Sequence, residues 1–326
     1  MRAVALVHFY PPYRLAGSET MLHTMLQALG RAGHDVHAVS TSMPESPLEW
    51  EYGGVQAYRA SGPGDGPAKV RDLNPDVILT HHDHAPLAVF TARELGVPSV
   101  FIMHNSFDMN RPILAMQPDL TVFNTEWIAR EFQPELTGDW MVVHPPIWPH
   151  EHATAPGSCV TLVNLNVHKG VRVFAQLANL FPDLHFLGVT GAHGEQMTVG
   201  MNSNVTVIPQ TSDMRRDVWS RTRVLLMPSF YESYGMVGVE AMASGIPVLA
   251  HPTPGLKEAL GYAGVFCDRE RADQWSQALN TLMRNPAAWQ TASQRALTRS
   301  RDLDPRPELE AFVKRLEKLT AHRLVG

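Results

Sequence analysis

The chain alternates short apolar runs with amphipathic stretches, and it does so twice, on either side of one proline-rich break. In the first half, "AVALVHF" reads as a strand, "SETMLHTMLQALGRAG" as a helix and "DVHAVS" as a strand. Met21, Leu22, Met25, Leu26 and Leu29 fall on one helical face, and Gly33 is placed to end that helix. "DVILT", "PSVFIMH", "DLTVFNT" and "WMVVHPP" continue the strand series, with "LAVFTAREL" and "EWIAREF" between them. Near-continuous apolar strands separated by helices predict a parallel sheet covered on both faces. Residues 144–157, "HPPIWPHEHATAPG", carry four prolines and read as a linker. The alternation restarts with "CVTLVNL" and runs through "LHFLGVT", "NVTVIP", "RVLLMPS" and "IPVLAH". The expected fold class is α/β, with two doubly wound Rossmann-like domains at 1–146 and 147–303 and a last helix within 304–326. In such sheets ligands bind beyond the carboxyl ends of the strands.

Length and composition agree with this. The 326 residues, 44% hydrophobic and 18% charged, suit a two-domain globular chain. No apolar run reaches the roughly 20 residues of a membrane span. "MRAVALVHFYPPY" lacks a small-residue cleavage site and reads as a first strand, not a signal peptide. The two cysteines, Cys159 and Cys267, make no disulfide framework, so a cytoplasmic location is expected. Residues 1–150 hold 9 Lys or Arg against 16 Asp or Glu, whereas residues 151–326 hold 18 against 16. The acidic first half disfavours nucleic acid and anionic membranes as partners. The second half leaves room for one small anion.

The dinucleotide fingerprint GxGxxG and the phosphate loop GxxxxGK[ST] are both missing, so a nicotinamide enzyme is not expected. "GPGDGP" at 62–67 imitates part of the first pattern but reads as a loop. Lys169 and Gly170 stand at a strand-to-helix turn, where a lysine beside unpaired helix N–H groups suits phosphate. A solvated surface lysine has the same local signature. In "PSFYESYGMVGVEAMASGIPV", Glu232 falls in a strand-end loop and Glu240 about one turn into a helix. Two carboxylates at this spacing can cleave a glycosidic bond, hold a metal or accept sugar hydroxyls. The glycosidase reading is disfavoured, because its acid needs an apolar pocket and a partner across the sugar. "THHDHA" at 80–85 offers His81, His82, Asp83 and His84 to a metal, to an acceptor or to solvent. Adjacent histidines rarely converge on one ion, so no metal is assigned to them.

"PSFYESYGMVGVEAMASGIPVLAHPTPGLKEALGYAG" is similar to the donor-binding signature of the retaining family-4 glycosyltransferases of GT-B fold. "YPPYRLAGSETMLHTMLQALGRAGHDV" resembles the first loop and helix of that family, "VFIMHN" its strand ending in histidine, and "VNLNVHKG" its Arg-x₄-Lys-Gly turn. The resemblance implies two domains facing a central cleft, with the last helix crossing back to the first domain. It implies transfer of a sugar, with retention, from a nucleoside-diphosphate sugar to a hydroxyl acceptor. The first domain would bind the acceptor and the second the donor. His104, Lys169 and Glu232 would act at the reacting centre. Gly17, Asn164, Lys169, Tyr234, Gly235, Met236 and Glu240 would bind the donor, with Glu240 on the ribose and Glu232 on the sugar. Asn164 stands where the family has arginine, which leaves Lys169 as the one cation of that turn. The expected donor is a UDP or GDP sugar, and no cofactor or metal is expected. A sugar-nucleotide epimerase, a phosphorylase and a non-catalytic sugar-nucleotide binder remain open.

Overall fold

The apolar runs become the strands of two sheets. A computed structural model of the chain describes residues 1–14, 16–62, 64–191, 194–198, 200 and 202–321. Its contacts divide into two units, Met1–Pro146 with Pro305–Gly326, and Ile147–Asp304.

The first unit is built on eight strands: β1 Arg2–Val7, β2 Asp35–Ser40, β3 Glu49–Tyr52, β4 Val55–Arg59, β5 Val77–His81, β6 Ser99–Met103, β7 Leu120–Phe123 and β8 Asp139–Val142. Their order is β3-β4-β2-β1-β5-β6-β7-β8, all parallel except the β3–β4 hairpin at one edge. The inner strands β5, β6 and β7 are buried along their whole length, as their unbroken apolar sequences require. Helix Gly17–Arg31 buries Met21, Leu22, Met25, Leu26 and Leu29, and Gly33 follows it at φ +87°. Helix Arg306–Ala321 belongs to this unit, burying Leu309, Phe312, Val313 and Leu316. Glu308 accepts from the backbone N–H of His144 at 2.7 Å and meets its ring at 2.8 Å. Residues 322–326 of the expected last helix lie outside the described residues.

The second unit has six parallel strands: β9 Cys159–Val163, β10 Phe186–Val189, β11 Val205–Ile208, β12 Thr222–Met227, β13 Val248–Ala250 and β14 Val265–Phe266. Their order is β11-β10-β9-β12-β13-β14. Two buried clusters cover its faces, one around Trp219, Met242 and Leu256, the other around Phe174, Phe186 and Trp275.

Three segments differ from expectation. "GPGDGP" is not all loop, because helix Asp65–Asp72 begins inside it. Pro67 fits there because the first turn of a helix has no acceptor for its N–H groups. Gly66 allows a close approach, since a Cβ on it would lie 2.9 Å from Leu6 Cδ1 and from Thr41 Cγ2. The proline-rich linker is partly structural as well: Ile147 enters the second unit's core, and Pro149–His152 forms a helical turn. The β3–β4 hairpin carries no apolar run. It is anchored by Trp50, whose indole N–H donates to Pro11 O at 2.8 Å.

Candidate functional site

In each sheet the chain goes one way from the first strand and later returns to the other side of it. That reversal lies between β9 and β12 in the second unit, and between β1 and β5 in the first. The carboxyl ends of such strand pairs are where open α/β sheets place their ligands.

At the end of β9, Asn164 adopts φ +71° and Gly170 φ +91°. Between them the Lys169 N–H donates to Asn166 Oδ1 at 2.8 Å. A Cβ on Gly170 would lie 2.4 Å from Pro228 Cγ and 2.7 Å from Pro228 O. Glycine thus lets the turn after β9 close onto the turn after β12. The Phe230 N–H donates across to His168 O at 2.8 Å. Lys169 Nζ then reaches Glu232 Oε1 at 2.6 Å, and Ser229 Oγ donates to the same oxygen at 2.8 Å. Two expected site residues, far apart in sequence, therefore form one ion pair.

Two helices open at this point, Val171–Leu180 after Gly170 and Met236–Ala243 after Gly235, and neither has a side-chain cap. Gly235 sits at φ +99°, and a Cβ on it would lie 2.5 Å from Leu256 Cδ2. Tyr234 is buried beside it and Met236 is half-buried. Uncapped helix N-termini present free N–H groups and the positive dipole end, and both favour an anion.

Glu240 lies on the second turn of Met236–Ala243 and is mostly buried. Its Oε2 is 3.8 Å from His152 Nδ1. Burial pushes the Glu240 carboxyl up to about 7. Burial, and then the charge of His150, push His152 down to about 4. The contact is therefore not a fixed ion pair near neutral pH. Ser244 pins the turn that carries His152, donating to His152 O at 2.9 Å and accepting from Thr154 N–H at 3.0 Å.

Asn164 does not project as a free donor. Its Oδ1 accepts from Asn166 Nδ2 and Gln196 Nε2, each at 2.8 Å, and ties Gln196 to the end of β9. Arg269, by contrast, was not among the expected residues. Its guanidinium donates to Pro228 O at 3.0 Å, Val167 O at 3.1 Å and His168 O at 3.3 Å, bracing both loops of the Lys169–Glu232 pair. His152 was missed too, inside a segment read as linker. Neither carries a local pattern that singles it out.

In the first unit the reversal point is lined by histidines. His8 follows β1, His81 ends β5, His82 and His84 follow it, and His104 follows β6. His81 Nδ1 lies 3.1 Å from His104 Nε2. The His82 ring centroid is 4.7 Å from that of His81 and 5.1 Å from that of His104. Although adjacent, His81 and His82 do converge, because His82 adopts the left-handed conformation at φ +53° and the chain turns back. Burial is the first cause that holds all these imidazoles below their usual range: well below for His81 and His104, to about 4 for His8, and lowered for His82 and His84. Gly17 is exposed at the start of its helix. Two residues on, the buried Glu19 lies 4.0 Å from His8 Nε2.

Residues 158–285 match the family described as glycosyl transferases group 1, and residues 15–148 match glycosyltransferase family 4. D-inositol 3-phosphate glycosyltransferase of Rhodococcus opacus is 37% identical over 93 residues, 28% of this chain and 21% of that protein. The chain thus matches about a fifth of the length of this curated relative. Among solved structures, sucrose-phosphate synthase from Thermosynechococcus elongatus superposes with a TM-score of 0.79 at 16% identity, covering 100% of both chains. HepE of Anabaena, crystallised with UDP-glucose, superposes at 0.80 and 16% identity, covering 98% of this chain and 100% of that one. These likenesses identify the fold as GT-B.

Proposed function

Because the chain belongs to the glycosyltransferases, with a family 4 domain followed by a group 1 domain, we propose that it moves a sugar from a nucleoside-diphosphate sugar to a hydroxyl acceptor with retention at the anomeric carbon. The observation that carries this reading is the Lys169–Glu232 pair at the β9/β12 reversal, between two uncapped helix N-termini. A diphosphate is matched by Lys169 and the two helix ends. The sugar's hydroxyls are matched by Glu232, and the ribose hydroxyls by Glu240. Tyr234, Gly235 and Met236 present main chain to the same ligand. A UDP complex is the first candidate, since HepE was crystallised with UDP-glucose.

In this reaction the bond from the anomeric carbon to the β-phosphate oxygen breaks, and a bond to the acceptor oxygen forms on the same face. The acceptor proton passes to the departing phosphate oxygen, so no protein nucleophile is needed. Lys169 and the helix dipoles stabilise the charge that grows on that phosphate. This chemistry needs no metal at the pyrophosphate. His104 is assigned to the transferred sugar and Gly17 to the loop that meets the donor. The first unit binds the acceptor, and the protein works in the cytoplasm. Among the described residues no helix is long and apolar enough to cross a membrane.

The test is a mass-spectrometric binding screen of UDP-, GDP- and ADP-sugars, followed by turnover with the best binder. Transfer requires release of nucleoside diphosphate only when an acceptor is added. An epimerase interconverts sugar nucleotides without acceptor, a phosphorylase requires inorganic phosphate, and a pure binder shows no turnover. Any of these results rejects the reading.

A further inference from the structure

His104 is assigned above to the transferred sugar, but His81 and His82 have no part in that reading, and the three rings are arranged more tightly than a polar loop requires. One ring nitrogen from each of His81, His82 and His104 lies within 4.8 Å of the other two. His81 and His104 come from neighbouring parallel strands, β5 and β6. His82 joins them through its left-handed backbone, a conformation that is strained for a non-glycine residue and is typically retained at functional sites.

We propose that His81, His82 and His104 form a three-nitrogen site for a divalent transition metal of the zinc class, with a fourth position left for an oxygen ligand. Tetrahedral zinc with bonds of about 2.0–2.1 Å sets its nitrogens about 3.3 Å apart. The His81–His104 nitrogens already stand at 3.1 Å, and metal binding requires His82 to draw in from within 4.8 Å. Imidazole ligands select zinc, copper, nickel or iron, whereas magnesium and calcium prefer oxygen. Three protein ligands with an open position is the pattern of reactive rather than purely structural zinc sites. The open position suits an oxygen of water or of the acceptor, and in the second case it orients the acceptor in the unit assigned to bind it.

The experiment reads binding, so its outcome is independent of whether transfer occurs. The whole protein is stripped with EDTA, desalted and titrated with Co²⁺, then with Zn²⁺ in competition, and zinc retained through gel filtration is measured by mass spectrometry. The expected result is one equivalent of Co²⁺ with the visible absorption of a tetrahedral site, displaced by Zn²⁺ and untouched by Mg²⁺. His82→Ala removes the least buried ligand and is expected to weaken binding at least roughly 100-fold. His82→Gln keeps the side-chain bulk and serves if the alanine variant unfolds. His185→Ala changes an exposed histidine of the second unit and is expected to bind as the parent does. Weak octahedral-type absorption, no retained zinc, or equal binding by the parent and both folded His82 variants overturns the site.

Discussion

Lys169 Nζ lies 2.6 Å from Glu232 Oε1, so these two groups already neutralise one another. A bound diphosphate must compete with Glu232 for the lysine, and the two variants should therefore behave in opposite ways. Lys169→Ala is expected to lower kcat about 10²–10³-fold, with a smaller change in KM, because its charge matters most as the phosphate departs. Glu232→Ala releases the lysine. It is expected to bind free nucleoside diphosphate roughly 3- to 10-fold tighter while losing transfer. Calorimetry with nucleoside diphosphate and steady-state kinetics with the donor varied separate the two. Equal weakening of the free nucleotide by both variants would reject the division of roles.

Glu240 gives a pH signature. Its folded-state value near 7 stands above the usual 4.5, so between those values the native state holds a proton that the unfolded chain releases. Stability should therefore fall as pH rises from about 4.5 to 7, by up to about 3 kcal/mol. Glu240→Gln should flatten that slope in urea unfolding measured across the window. If the parent shows no slope in excess of the glutamine variant, Glu240 is not the buried acid described. Glu240→Ala should also weaken the nucleotide itself roughly 30- to 1000-fold above pH 7, where the carboxylate form makes charge-assisted hydrogen bonds to two hydroxyls.

Gly170→Ala forces a Cβ against the Pro228 backbone at φ +91°, where little can yield. About 2–3 kcal/mol of stability should be lost, together with nucleotide affinity, because the turn that carries Lys169 is displaced. Gly33→Ala, with nothing within 4 Å of the added carbon, pays only the left-handed backbone cost and leaves nucleotide binding intact. Nucleotide binding reduced equally by both variants would mean that the Pro228 contact is unimportant.

Arg269 braces three carbonyls with a planar fork, and an ammonium cannot reproduce that geometry. Arg269→Lys should therefore fall nearly as far as Arg269→Ala in kcat, each about 10-fold or more, since a small misplacement of the reacting groups is costly. Full rescue by lysine would show that charge alone matters there.

EDTA should leave the affinity for the donor sugar nucleotide within about twofold, because Lys169 and the helix ends meet the pyrophosphate without a bridging ion. The readout is donor binding rather than turnover, which keeps it separate from any metal held by the histidines. Binding lost in EDTA and restored by Mg²⁺ or Mn²⁺ would contradict it.

Much of this was legible in the sequence because parallel strands buried on both faces cannot hide their apolar runs. β5, β6, β9 and β12 sit where "DVILT", "PSVFIMH", "CVTLVNL" and "RVLLMPS" place them. The edge hairpin β3–β4 was not legible, since edge strands need no such run. Lys169 and Glu232 were visible as candidates, but their contact depends on the β9/β12 adjacency, a long-range property. The roles of Arg269 and Asn164 lay beyond reach for a different reason. Arg269 acts through backbone carbonyls of loops distant in sequence, and Asn164 accepts from the side-chain amides of Asn166 and Gln196, partners that no local pattern encodes. The histidine convergence was misjudged from spacing because a left-handed residue at position 82 breaks the alternation that spacing assumes.

The helix Arg306–Ala321 returns to the unit that contains Met1, so that unit is assembled from two pieces of chain while Ile147–Asp304 is continuous. His34 and Glu317, 283 positions apart, meet at 3.1 Å. During synthesis the second unit has all its residues before the first has its final helix. The order of completion is therefore the reverse of the order of translation. The earlier-made sheet must wait on the ribosome with the flank of helix Gly17–Arg31 uncovered, and a nascent-chain arrest placed before Pro305 would catch it in that state.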